Sequence, residues 1–145
     1  MKLHVKKGVD QLLFGMKQKD VEALYGEPDR TYEDDEDNII YLYNDKKLAL
    51  TFYEDEDFKL GYMSVSHAGA SVNGISVIGK NWDDVEPQLK ESGIKAFDNE
   101  AVDTLEHYFN EDNWVIFVVE FNEIVKVELG AIINDDDEFE WQFNG

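Results

Sequence analysis

The chain has 145 residues, of which 43% are hydrophobic and 13% aromatic, so it is long enough to bury a single apolar core. Its 33 acidic residues outnumber 13 basic ones, and the formal net charge of −20 disfavours binding to nucleic acids and anionic membranes. Without cysteine it forms neither disulfides nor thiolate metal sites, and because no secretory signal or apolar membrane-spanning run is evident, a cytoplasmic location is expected.

The first half of the chain predicts a short helix followed by three strands. Val9, Leu12 and Leu13 lead in at near-helical spacing, and apolar positions recur at the same spacing between residues 17 and 25. Glycine and proline residues just beyond this run end the helix. Runs of β-branched and aromatic residues, separated by polar turns, predict strands at residues 39–43, 48–53 and 60–66.

The second half repeats this order, which indicates an internal duplication. Gly15 and Val21 of the first half match Gly79 and Val85 of the second at the same offset. The same patterns predict a helix at residues 84–91, strands at 105–109, 114–121 and 124–129, and an edge strand at 139–143.

We therefore expect an α+β fold in a single domain, residues 1–145. The domain would consist of two tandem repeats, at residues 8–70 and 71–145, each with a helix followed by antiparallel strands. The helices would pack on one face of a mostly antiparallel sheet, because each repeat has one apolar face to cover.

A short motif in the first repeat resembles a known family. Phe14-Gly15-Met16, followed by Val21 and Gly26-Glu27-Pro28, is similar to the glycine-methionine helix motif of the SmpA/BamE-like and beta-lactamase inhibitor protein (BLIP-like) fold family. The second copy follows the motif by pattern only, since Lys80 stands in place of the methionine. The resemblance implies a tandem α/β unit whose antiparallel sheet carries helices on one face and binds proteins with the other.

Strand alternation predicts which side chains lie on the open face of the sheet. In residues 48–53, Leu48, Leu50 and Phe52 form one apolar face, which leaves the other face to the intervening residues. Alternation along all the strands predicts these partner-binding residues on an aromatic outer face: Tyr41, Tyr43, Tyr53, Tyr62 and Trp114. Such residues provide large, stiff contact areas in interfaces. The alternatives are that the rings only pair across strands, or that the two faces are inverted.

The motifs that would mark an enzyme are missing. His4, His67 and His107 have neither H-E-x-x-H spacing nor a G-x-S-x-G partner, and no glycine-rich phosphate loop is present. We therefore expect no catalytic residue, no cofactor and no bound metal. Three acidic runs carry the oxygen ligands that Ca²⁺ prefers but lack EF-hand spacing, so we interpret them as solvated turns, with calcium binding as the alternative.

Two functions are compatible with these features. The favoured one is a non-enzymatic, acidic protein-binding module, of inhibitor or immunity type, that binds a basic protein partner through the aromatic sheet face. The alternative is an intracellular assembly or small-ligand-binding module that uses the cleft between the repeats. The sequence leaves the oligomeric state open.

Overall fold

The computed structural model of the protein describes residues 1–144, which form two sheets and two helices. The helices are α1 (Gln18–Tyr25) and α2 (Trp82–Ser92). The strands are β1 (Lys2–His4), β2 (Gly8–Val9), β3 (Leu12–Leu13), β4 (Arg30–Glu33), β5 (Ile39–Tyr43), β6 (Leu48–Tyr53), β7 (Lys59–Val65), β8 (Ser71–Val72), β9 (Ile75–Ser76), β10 (Asp98–Val102), β11 (Leu105–Asn110), β12 (Val115–Glu120) and β13 (Glu123–Gly130). In these residues, neither helix combines the length and the apolar composition needed to cross a membrane.

The larger sheet has eight strands, all paired antiparallel, in the order β10–β11–β12–β13–β7–β6–β5–β4. Four strands from each half of the chain meet at its centre, where Val127 of β13 lies opposite Val65 of β7. The smaller sheet has five short strands in the order β3–β2–β1–β8–β9. Its parallel β1–β8 pair brings the N-terminal strand against the middle of the chain.

The longer elements lie close to where the sequence predicts them. The strand predictions at 39–43 and 48–53 coincide with β5 and β6, and those for β7, β11, β12 and β13 differ from the observed ends by a residue or two. Helix α2 begins two residues before its predicted start. Apolar runs or apolar periodicity over five or more residues are therefore sufficient to predict these elements.

The predicted fold class, however, was wrong. The chain is mostly β, with 42% of residues in strands and 15% in helices and helical turns, rather than an α+β pair of helix-then-strand repeats with helices packed on one sheet face. One cause is local: Val9, Leu12 and Leu13 look helical by spacing, but Asp10 takes a left-handed φ of 50°, which folds this segment into the β2–β3 hairpin. The division at residues 8–70 and 71–145 stays a prediction.

The strands that the sequence failed to predict are short or polar. Strands β4 and β10 carry exposed, mostly polar residues, so they show no apolar alternation. The predicted edge strand at 139–143 is absent, although Phe139 forms an isolated bridge with Ile133. The backbone amides of Gln142 and Phe143 instead donate to the carbonyl of Phe14, at 3.1 and 3.0 Å.

One core cluster joins buried residues of the eight-stranded sheet, the two helices and the smaller sheet. Trp82, at the start of α2, packs against the sheet, with its ring centroid 4.3 Å from that of Tyr108 and 5.5 Å from that of Phe117. The smaller sheet contributes the buried residues Leu3, Val9, Leu12 and Val72. Ile116 and Glu128, on the opposite face of the sheet, lie outside this cluster, so that part of the outer face is available for binding.

Two of the tyrosines predicted for the outer face lie on the inner face instead. Tyr41 and Tyr43 are each 5% exposed, so placing them outside was wrong. The Tyr41 hydroxyl donates to the Glu22 carboxylate at 2.8 Å, and the Tyr43 hydroxyl donates to the Gly26 carbonyl at 2.9 Å. Every residue of β5 is apolar or aromatic, so alternation along this strand does not show which face is buried.

This burial predicts that Tyr43→Ala destabilises the protein. Deleting a buried aromatic ring leaves a cavity, so we expect the free energy of unfolding to fall by about 3–5 kcal/mol. The matched control is Tyr32→Ala, because Tyr32 is 45% exposed on β4 and surface changes usually stay within about 0.5 kcal/mol. Urea unfolding of both variants measures the difference, and equal stabilities would contradict the inward orientation of β5.

Candidate functional site

The candidate site is a cavity on the outer face of the eight-stranded sheet, over strands β10 to β13. The pairing register aligns Asp98, Phe109, Ile116 and Glu128 in one row across these four strands. The cavity has a volume of about 710 Å³. It is lined by Asp98, Asn99, Glu100, His107, Phe109, Trp114, Ile116 and Glu128. This size lies within the range of about 300–1,000 Å³ that is typical of ligand-binding pockets.

The lining of the cavity is both apolar and acidic. Apolar and aromatic side chains form much of its wall, whereas Asp98, Glu100 and Glu128 provide carboxylates at its rim and floor. In the described part of the chain, His107 is the one basic residue of the lining. The cavity therefore combines aromatic surface with negative charge.

Trp114 is held in place by a glycine. It precedes β12 with a left-handed φ of 49°, and its indole lies against the backbone of Gly130. A Cβ atom at position 130 would come within 2.5 Å of the Trp114 ring, so only glycine allows this packing. The backbone amide of Gly130 also donates to the Trp114 carbonyl at 3.1 Å.

Two aromatic rings pack against this tryptophan. The ring centroids of Tyr62 and Trp114 are 5.9 Å apart, and those of Phe109 and Trp114 are 5.4 Å apart. Both pairs are edge-to-face, an arrangement that aromatic rings favour. We call Tyr62, Phe109 and Trp114 the aromatic cluster.

Glu128 is the half-buried acid of the site. Its register neighbours on the outer face are Ser64 of β7 and Ile116 of β12, and the Tyr62 hydroxyl donates to its carboxyl group. Burial raises the pKa of Glu128 above its ordinary value, because the charged form loses hydration. A cation that binds beside such a carboxyl group stabilises its charged form.

The structure brings together two of the five predicted site residues, Tyr62 and Trp114. Tyr53 lies on the same face but outside the cavity, where its ring covers Gly61 and packs on Phe139 with centroids 5.7 Å apart. Burial, with the nearby Glu36 and Asp34, raises the pKa of Tyr53 to about 12. Tyr41 and Tyr43 lie in the core, as described above.

The sequence-based prediction named only Trp114 among the eight lining residues. It missed seven as members of the site: Asp98, Asn99, Glu100, His107, Phe109, Ile116 and Glu128. Alternation in residues 105–109 does place His107 and Phe109 on one face of a strand, and this was the available signal. Nothing local indicates that Glu128 lies in the same row as Phe109, because that depends on the pairing register of three strands. Among residues 1–144, no group of three or more His, Cys, Asp or Glu residues is placed to hold a metal ion.

No family model matches the chain, and no curated protein matches it significantly. Solved structures do share its fold. A DUF4309 family protein (YjgB) from Bacillus subtilis has a TM-score of 0.53 at 18% identity, over 86% of this chain and 84% of that one. An extracellular protein containing an SCP domain, from Bacillus anthracis, has a TM-score of 0.52 at 18% identity, over 79% of this chain.

The chain spans 43% of the length of the Bacillus anthracis protein. At this level of identity the two likenesses show the fold alone. Neither structure belongs to the SmpA/BamE-like or BLIP-like family, so the resemblance carried by the Gly15-Met16 motif stays a prediction.

The raised pKa of Glu128 predicts a pH-dependent effect of Glu128→Gln. The folded state holds the Glu128 proton more tightly than the unfolded state, so ionisation destabilises the protein as pH rises from the unfolded pKa through the folded pKa. Glutamine does not ionise, and we expect the variant to gain stability relative to the wild type between about pH 4 and pH 7.

Urea unfolding at both pH values measures this difference. Glu123→Gln, at an exposed position of the same strand, controls for the loss of one negative charge from an acidic protein. The interpretation of Glu128 as a desolvated acid would be wrong if the two variants showed the same dependence on pH.

Proposed function

We propose that the protein is a non-enzymatic binding module that takes a cationic side chain of a basic protein partner into the outer-face cavity. The observation that carries this proposal is the position of Glu128, a partly desolvated carboxyl group beside the aromatic cluster. Aromatic faces and a carboxylate both attract lysine and arginine, and the attraction strengthens where water is excluded. Occupation of a basic site on an enzyme would inhibit it, which is the role expected from the sequence.

The charge of the whole protein supports the same partner. With a formal net charge of −20, the surface attracts basic proteins over distances comparable to the Debye length, about 8 Å at physiological salt. Asp98 and Glu100 place part of this charge at the rim of the cavity. Long-range attraction and local contacts thus favour one chemical class of partner.

The position of the cavity favours this function over a small-ligand site in a cleft between repeats. All of its lining residues lie between positions 98 and 128, on strands β10 to β13 and the turn before β12. The boundary between the halves of the sheet, where β13 pairs with β7, forms only one side of the site. The concave surface is aromatic with an acidic edge, which suits a protein side chain.

Truncation of the tryptophan should weaken binding to a basic peptide. We expect Trp114→Ala to lower the affinity for a capped peptide of alternating lysine and threonine by about tenfold or more, since buried aromatic anchors dominate such interfaces. Calorimetric titration measures this loss. Phe121→Ala is the matched control, because Phe121 is 84% exposed and lies outside the cavity.

Two outcomes would contradict the proposed function. One is an unchanged affinity in Trp114→Ala when the variant still unfolds cooperatively. The other is equal binding of a peptide in which glutamate replaces every lysine, because the cavity would then not select a cation.

Salt should slow the association of the same peptide. Raising ionic strength from about 0.05 to 0.5 M shortens the Debye length, so we expect a clear fall in the association rate constant. A threonine–glutamine peptide of the same length provides the uncharged control. Stopped-flow measurements in which salt affects both peptides equally would exclude electrostatic steering.

A further inference from the structure

Strand β10 ends the eight-stranded sheet beside the cavity. All five of its residues, Asp98 to Val102, are exposed, and among residues 1–144 no strand pairs with its free edge. The peptide groups on that edge can form a further antiparallel or parallel ladder. We propose that an extended basic segment of the partner adds to β10 as a ninth strand, an inference that rests on the basic partner proposed above.

Charge distinguishes β10 from the other open edge. Strand β4, at the opposite end, is equally exposed but carries both Arg30 and Glu33, so its charges balance. Strand β10 carries Asp98 and Glu100 without a basic residue. Like charges opposite one another disfavour pairing of β10 with a second copy of itself, whereas a basic strand is attracted.

The register specifies which side chains of the added strand meet these acids. Asp98 lies opposite Phe109 and Glu100 opposite His107, so both acids lie on the outer face with the cavity. Asn99 lies opposite Tyr108, whose ring faces the core side of the sheet. Lysine or arginine at two alternate positions of the partner segment would therefore lie opposite Asp98 and Glu100.

The added strand extends the cavity rather than filling it. Neighbouring strands lie about 4.7–4.9 Å apart, so a basic side chain opposite Asp98 also reaches the side of the cavity near Phe109 and His107. Glu128 lies three strands further in and remains available to another side chain of the partner. Main-chain hydrogen bonds would provide affinity, and the acidic and aromatic groups would provide selectivity.

Backbone methylation of the lysine–threonine peptide tests this inference. N-methyl groups remove main-chain donors without changing side-chain charge, and in a strand only every second amide faces a given neighbour. Two peptides, methylated at alternate positions of opposite parity, are compared with the parent. We expect one of them to lose about tenfold or more in affinity while the other stays within about twofold of the parent.

Hydrogen exchange of the protein provides the second measurement. Binding of the parent peptide should slow the exchange of β10 amides and leave β4 amides unchanged, since only β10 gains a neighbour. The double variant D98N/E100Q should weaken peptide binding, whereas Glu33→Gln on β4 should not. If both methylated peptides lose affinity, hydrogen exchange decides. Slower exchange of the β10 amides with the parent peptide bound supports strand addition, and unchanged exchange contradicts it.

The outcomes separate this inference from the proposed function. If both methylated peptides bind like the parent while Trp114→Ala weakens binding, strand addition is wrong and the cavity proposal stands. If one methylated peptide alone loses affinity but Trp114→Ala binds normally, strand addition stands without the cavity. If the parent peptide does not bind at all, both are overturned.

Discussion

The antiparallel pairing of β13 with β7 is the interaction on which the architecture depends. It joins four strands from each half of the chain into one sheet and makes the inner face continuous, with Leu129 opposite Met63 and Val127 opposite Val65. All four side chains are fully buried, and each contributes about 1.5–3 kcal/mol relative to exposure. The core cluster includes this inner face, whereas the outer face over β10 to β13 carries the cavity.

The geometry of the site follows from the hairpin formed by β12 and β13. Gly130 supports the Trp114 ring, and Glu128 lies two residues earlier on the same strand and face. The distance from the acid to the aromatic cluster is therefore fixed by strand geometry rather than by a mobile loop. A site built on paired strands needs little reordering when a partner binds.

Charge, aromatic surface and an open strand edge converge on one side of the sheet. Asp98 and Glu100 line the cavity and also belong to β10, the strand with the free edge. One acidic strand therefore contributes both to the proposed binding of a basic side chain and to the proposed addition of a strand. The solved structures that share the fold do not supply this function. It is supported by the side chains of this chain, above all by Glu128 and Trp114.

The sequence by itself determined the positions of the helices and of strands β5 to β7 and β11 to β13, because apolar runs and periodic burial within a segment depend on neighbours along the chain. It also determined the acidity of the surface, one residue of the cavity lining, Trp114, and the neighbouring ring of Tyr62. Tertiary structure decided the inward orientation of Tyr41 and Tyr43, because either face of the apolar strand β5 can be buried. It also placed Glu128 beside the aromatic cluster, since only the register between strands brings residues distant in sequence into one row.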